Sequence, residues 1–354
     1  MRTRALVAGT AISTLILGAT SLQLLIPASA SAPAAANATS AARFLRVGSF
    51  NISGVNNDSS AHPNRRWRAR RPVVVRQILT RHLDVIGLQE ANQSTIYKNR
   101  LANGKTQYLD VLNGLNAHGA HYRLTSRAAY NCVRAFSSRN CVARDRNASG
   151  DDRIVYNDSK LALVRAGSYE YGSHTGGIKR YLAWAVLRKR STGRRFLFTD
   201  THLNPYSHAS RIAEWRQMIG KINSLKGSMP VVSVGDFNTS KYSPWASSML
   251  PAMRNAGYGD VLGQHYRVNP PRHVRAHSLA RAWVNSFNEY RRSVKKYSYY
   301  RNRHKVGNGI DWIFASRSLT VRGFAVVVSM NPHTLRLRGT IPSDHNLIRA
   351  TIVL

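Results

Sequence analysis

Six short stretches of this chain end in residues able to do chemistry that a buried strand has no use for. Asn51 closes "VGSFN", Glu90 closes "DVIGLQE", and His202 and Asn204 close "FLFTDTHLN". Asp236 and Asn238 sit in "VVSVGDFNTS", Asp311 in "NGID", and Asp344 with His345 in "IPSDH". Singly each is ordinary, because Asp, Asn and Ser are favoured in the turns that follow strands. Together they form an oxygen-rich set with two imidazoles and no thiolate. Such donors suit Mg²⁺, Mn²⁺ or Ca²⁺ better than zinc. On an extended backbone, residues two apart project to the same side, which would place Asp236 and Asn238 together.

The elements that must position these residues are readable in order. "FLRVGSFNI" (44 to 52) and "DVIGLQE" read as strands. Between them a helix is expected over 73 to 83 after Pro72, with Val75, Ile78, Leu79 and Leu83 on one face. "TQYLDVLNGL" reads as helix, and "RIVY", "KLALV", "YLAWAVLRK" and "FLFTDTHL" as consecutive strands, with "STGRR" a hairpin turn. Ile212, Trp215, Ile219 and Ile222 are spaced as one helix face over 209 to 226. Val231, Val232 and Val234 then form a buried strand that Gly235 is expected to end. A helix near 244 to 256, a long polar stretch to about 308, and the strands "GIDWIFAS", "VRGFAVVVS" and "LIRATIVL" complete the chain. Strands outnumber helices and the βα alternation is partial, which implies two sheets packed on each other with helices outside.

The first 38 residues are expected to lie outside that fold. Arg2 and Arg4, an apolar run interrupted by Thr, Ser and Gln, and the small residues that follow read as a secretory signal with a loose leader. Cleavage after Ala30, Ala32 or Ala38 fits equally. The remainder, 44 to 354, carries no linker or repeat and reads as one domain of a soluble, exported protein. In an oxidising compartment Cys132 and Cys141, in "NCVRAFSSRNC", read as a disulfide closing a small loop.

The charge balance is extreme: 52 Lys and Arg against 16 Asp and Glu, a formal +36, and +34 once the leader's two arginines are removed. A surface of that kind attracts polyanions, with nucleic acid and anionic membrane surfaces the main candidates. The cations cluster in "RRWRARR" (65 to 71), "RKRSTGRR" (188 to 195) and "YRRSVKKYSYYRNRHK" (290 to 305). The last holds seven Lys or Arg and four Tyr without an acid, so phosphates could meet the cations and exposed bases the rings.

Asn51 in "SFN", Glu90 in "LQE", His202 in "THL", Asp236 and Asn238 in "GDFN", Asp311 in "ID" and Asp344–His345 in "SDH" resemble, in order, the endonuclease/exonuclease/phosphatase superfamily. The resemblance spans about 44 to 354, and "GDFN" followed by "SDH" is its most specific part. It implies a four-layer α/β sandwich with two central, mostly antiparallel sheets. It further implies phosphoester hydrolysis with Mg²⁺, or Mn²⁺ or Ca²⁺, held by Asn51, Glu90 and Asp344. His345 would act as general base or stabilise the phosphorane, Asp311 would fix its tautomer, and Asp236 would orient the water. Asn238 and His202 would bond phosphate oxygens, with Asp152 (or Asp151) behind His202 and Arg180 a phosphate-binding cation. "SDHNLI" departs from members that carry a hydrophobic residue or Pro after "SDH".

The resemblance implies the reaction and leaves the substrate to the rest of the chain. The charge, the Tyr-rich basic stretch and export without an anchor favour a nuclease, with Asn204, Tyr297, Tyr299 and Arg301 as further substrate contacts. A secreted sphingomyelinase or other phospholipase C-type enzyme is the alternative within catalysis. A polyanion-binding protein that has lost the chemistry is the alternative outside it. No stable protein partner is implied, and the chain is expected to be a monomer.

Overall fold

A computed structural model of the chain describes residues 43–92, 106–126, 149–172, 179–262, 278–294 and 309–354, which belong to one compact unit, Ser40–Leu354. In chain order the elements are β1 (Phe44–Asn51), α1 (Trp67–Thr80), β2 (Val85–Gln89), α2 (Gln107–Asn116), β3 (Tyr122–Leu124) and β4 (Arg153–Asn157). Then follow β5 (Leu161–Glu170), β6 (Tyr181–Lys189), β7 (Arg195–His202), α3 (His208–Lys226), β8 (Val231–Asp236), α4 (Pro244–Asn255) and β9 (Tyr258–Asp260). The last are β10 (Ser278–Ala280), β11 (Asp311–Ser316), β12 (Thr320–Val327), β13 (Met330–Asn331), β14 (Arg336–Leu337) and β15 (Leu347–Val353).

The strands make two large sheets, ordered β10-β12-β15-β1-β2-β4-β3 and β5-β6-β7-β8-β11-β9, with β13 and β14 as a separate pair. Within the two large sheets β1–β2, β10–β12 and β7–β8 are parallel and the other neighbouring pairs antiparallel. Side-chain alternation explains how the sheets stack. Val232 and Val234 of β8, Phe196 and Phe198 of β7, Ile313 and Ala315 of β11, and Leu45 and Val47 of β1 share one buried cluster between the sheets. The intervening Leu197, Val231, Trp312 and Phe314 instead meet Trp215, Met218 and Ile222 of α3 and Met249 and Met253 of α4. On the far side Phe50, Ile86 and Leu88 pack against Val74, Val75 and Ile78 of α1 and Val111 and Leu115 of α2. Helices, sheet, sheet, helices: the architecture is the expected four-layer sandwich.

Two boundaries differ from the sequence reading, both through tertiary contacts. Helix α1 begins at Trp67 and runs through Pro72. Its start is pinned by Asp58, whose carboxylate accepts the Trp67 amide at 2.7 Å, while the Trp67 indole donates to Asp110 at 2.9 Å. Those anchors outweigh the preference of the residue before a proline for extended backbone. Strand β8 passes through Gly235, where a Cβ would stand 2.2 Å from the Thr201 carbonyl oxygen. The glycine therefore permits close pairing with β7 and does not end the strand.

Candidate active site

The same alternation that builds the inter-sheet core delivers the polar residues. Asn51, His202, Asp236 and Asp311 continue the inward-facing parity of β1, β7, β8 and β11 at one end of the sandwich. Register aligns them, with His202 paired to Asp236 across β7–β8 and Asp311 to Asp236 across β11–β8. Each buried Val or Phe on this face is worth about 1.5–3 kcal/mol. A row of acids and imidazoles in its place is thermodynamically costly and marks the end of the sandwich as a site.

Asp236 is the hub of the row. Its Oδ2 lies 3.5 Å from the Nε2 of both His202 and His345 and accepts the Asn51 amide at 3.1 Å. Its Oδ1 accepts the Asn238 backbone N–H at 2.9 Å. His345 Nδ1 meets Asp311 Oδ2 at 2.9 Å, which turns Nε2 toward Asp236. All four ionisable groups are buried. Burial alone would lower the His345 imidazole, but Asp311 and Asp236 outweigh it and hold the imidazole well above its usual range. His202 shifts the other way: burial first, then Arg180 and His345, keep it well below, and so neutral. Burial pushes Asp236 up to about 7, with His345 pulling it down and Asp311 pushing it further up. Two imidazoles on one carboxylate thus have opposite character, one holding a proton and one neutral.

Beside this row stands the oxygen set. Glu90 follows β2 with φ +52°, a left-handed conformation uncommon for a residue with a side chain. Its Oε1 accepts Asn51 Nδ2 at 2.9 Å and its Oε2 accepts the Gly54 N–H at 2.9 Å. The Ser343 hydroxyl donates to the Asn51 carbonyl at 2.7 Å and lies 3.0 Å from Asp344 Oδ1. Asn51, Glu90 and Asp344 are therefore knit together, with Glu90 and Asp344 partly exposed.

The description of the endonuclease/exonuclease/phosphatase family matches residues 48–345. The chain belongs to that family. Its members are metal-dependent phosphoesterases or nucleases. Among solved structures, the chain is similar to the mannosyl-6-phosphatase Bt3783 of Bacteroides thetaiotaomicron, at 18% identity and TM-score 0.63 over 88% of this chain and 100% of that one. It is also similar to the human Nocturnin catalytic domain with bound sulfate, at 16% identity and TM-score 0.52 over 88% and 93%. A third is D. rerio TDP2 complexed with a single-strand DNA product, at 15% identity and TM-score 0.50 over 87% and 98%. At these identities the likeness is one of fold. No curated protein matches the sequence.

The residues present fit the divalent metal that the family uses. Glu90, Asp236, Asp311 and Asp344 gather at one end of a chain with only 16 acids among 52 Lys and Arg. Glu90 and Asp344 offer only oxygens, the donors that hard cations take, and the Asn51 amide turns its Nδ2 to Glu90 and its Oδ1 to the Ser53 N–H. Asp236, Asp311 and His345 also place one donor each within 4.8 Å of one another, a spacing that a metal ion could bridge. Two of those three side chains, however, already bond each other as the Asp311–His345 pair.

The remaining expected residues take varied places. Asp152 does not bond the His202 ring; its carboxylate accepts the His202 backbone N–H at 3.3 Å. Burial, then the charge of Asp200, raises Asp152 well above the usual carboxylate range, and Arg180 opposes this. Arg180, half-buried, exerts its charge on Asp152, His202 and Glu214 together, as an anion-binding residue in the site would. Asn204 is fully buried, and its Oδ1 accepts the N–H groups of Tyr206 and Ser207 at 2.9 and 3.0 Å. It holds the turn after β7. Asn238 has φ +46°, so it leaves the extended line of β8 and its amide donates to the Leu203 carbonyl at 2.8 Å. Cys132, Cys141, Tyr297, Tyr299 and Arg301 lie outside the described residues.

Two supports were not visible in the sequence. Arg70, within an apparently solvated run of arginines, is fully buried. Its guanidinium donates to the carbonyls of Ile52 (2.6 Å), Ser53 (3.0 Å) and Pro342 (2.9 Å), tying the Asn51 loop to the Asp344–His345 loop. Residues 285–290, read only as polar, strap the same loop. The Ser286 hydroxyl accepts the Asp311 N–H at 3.2 Å, and Asn288 and Glu289 donate backbone N–H groups to the Asp344 carbonyl. Tyr290, expected to offer a ring to solvent, is half-buried under Arg65 and Arg70. The signal in hindsight is a polar stretch rich in Ser and Asn, whose side chains satisfy neighbouring backbone groups.

Proposed function

We propose that this protein is an exported, divalent-metal-dependent nuclease that hydrolyses DNA or RNA. The observation that carries the reading is a buried imidazole–carboxylate row beside an oxygen-only metal set, within a chain of formal charge +36. Charge of that excess concentrates polyanions at the protein and accelerates encounter. The metal, held by Asn51, Glu90 and Asp344, would neutralise a phosphoryl oxygen and the leaving oxyanion. Asp236 orients the attacking water and its carboxylate takes the water's proton as the new oxygen–phosphorus bond forms and the ester bond breaks, the leaving oxygen departing as the oxyanion that the metal would neutralise. Asp311 holds His345 through Nδ1, so that the charged imidazole stabilises the phosphorane, and neutral His202 donates a hydrogen bond to the phosphoryl group. Arg180 supplies fixed positive charge there.

The test is a panel of supercoiled plasmid, single-stranded RNA and sphingomyelin vesicles, each with Mg²⁺ and with EDTA. The expected result is metal-dependent cleavage of plasmid or RNA and none of sphingomyelin. Hydrolysis of sphingomyelin alone would overturn the reading, as would plasmid binding in both buffers without cleavage of plasmid or RNA.

A further inference from the structure

Large hydrophobic side chains exposed among the described residues are Leu163, Val164, Tyr206 and Trp245. The two aromatic ones lie at the active-site end, Tyr206 in the turn after His202 and Trp245 at the start of α4 after Asn238. We propose that Trp245, with Tyr206, is a stacking platform for an unpaired nucleobase next to the phosphodiester being cleaved. The proposal rests on the nuclease reading above and adds the place where the strand's bases are held.

The platform is built, not incidental. The Trp245 ring is stacked on His208 with centroids 4.5 Å apart and planes 16° from parallel. His208 in turn contacts the Arg211 guanidinium through Nδ1. Arg211 is buried and donates to the carbonyls of Asn204 (2.9 Å) and Pro205 (3.0 Å), the turn that carries Tyr206. One arginine thus braces both the aromatic pair and the loop leaving the catalytic strand, and it also feels the charge of Asp236. Trp245 remains 41% exposed and Tyr206 75% exposed. Ser243 caps α4 by accepting the Ala246 N–H at 3.1 Å, so the rings stand on ordered backbone. A flat ring held rigid at low entropic cost, within a cationic protein, fits a base on a polyanionic strand. A lipid acyl chain would gain nothing from the parallel ring geometry.

The experiment is fluorescence titration of the full protein with a single-stranded deoxyoligonucleotide in EDTA, beside Trp245→Ala, Trp245→Phe and Tyr206→Ala. The difference between wild type and Trp245→Phe isolates the signal of this ring. Stacking predicts that the oligonucleotide quenches that signal and that Trp245→Ala binds about 5- to 150-fold more weakly. Tyr206→Ala should weaken binding by less, and melting temperatures should match wild type. Unchanged affinity in the Trp245→Ala protein, or a Trp245 signal indifferent to oligonucleotide, overturns the platform. A blue shift with phosphatidylcholine–sphingomyelin vesicles and none with oligonucleotide would overturn it in favour of a membrane surface. The nuclease reading is scored separately: quenching without cleavage of plasmid or RNA keeps base binding at Trp245 and removes the nuclease, and cleavage without quenching does the reverse.

Discussion

The first sheet meets the active centre with oxygens that are partly open to solvent, whereas the second meets it with acids and imidazoles that are buried. On the β1–β2 side, Glu90 and Asp344 are half-exposed and pinned by backbone N–H groups, an amide and a hydroxyl. On the β7–β8–β11 side, His202, Asp236 and Asp311 are shut away from water, and burial lowers the His202 imidazole and raises the Asp236 carboxylate. His345 joins the two, because its chain leads into β15 of the first sheet while its ring bonds Asp311 of the second. A hard cation needs accessible oxygens and exchangeable waters. Proton transfer needs low dielectric and fixed neighbours. On the mechanism proposed above, the difference between the sheets separates these demands.

The largest effect that would break this division is at the bridge. His345→Ala should lower kcat on a phosphodiester by about 10³–10⁴-fold, with metal affinity unchanged, as read by steady-state kinetics at saturating Mg²⁺. Glu90→Gln should show the opposite signature, a loss of about 10²-fold at low Mg²⁺ that excess metal partly restores. Loss from Glu90→Gln that no metal concentration relieves would mean that the first sheet does more than hold the ion.

Arg70→Ala should act on stability, because it orphans the buried carbonyls of Ile52, Ser53 and Pro342. The expected cost is about 3 kcal/mol, visible as a fall of about 5 °C in thermal melting. The smallest effect concerns Glu214 of α3, which accepts the Asn204 N–H and is pushed up to about 7, chiefly by burial. Its folded pKa lies above the ordinary value of 4.5, so the fold favours the protonated form. The stability that follows is present below the ordinary value and is lost as pH rises through about 7. Glu214→Gln should therefore flatten the change in melting temperature between pH 5 and pH 8, by about 2 °C.

Much of this was legible because it is local. "VVSVGD" reads as a buried strand from its valines, and the order of "SFN", "LQE", "GDFN" and "SDH" names the residues that the fold brings together. What escaped depends on contacts between distant segments. Arg70 is indistinguishable from its arginine neighbours until Pro342 is seen against it, 272 positions away. Helix α1 starts before Pro72 because Asp58 and Asp110 hold Trp67, and no local propensity records that. Asn238 looks aligned with Asp236 only while the backbone is taken as extended, and its positive φ removes the alignment.

The division of labour is tested most directly by calorimetric titration of Mg²⁺ or Mn²⁺ into the wild-type protein, Glu90→Gln and His345→Ala. The account predicts that Glu90→Gln loses most of the binding heat while His345→Ala binds metal as wild type does. If His345→Ala abolishes binding and Glu90→Gln retains it, the ion sits among Asp236, Asp311 and His345, and the assignment of roles to the two sheets is wrong.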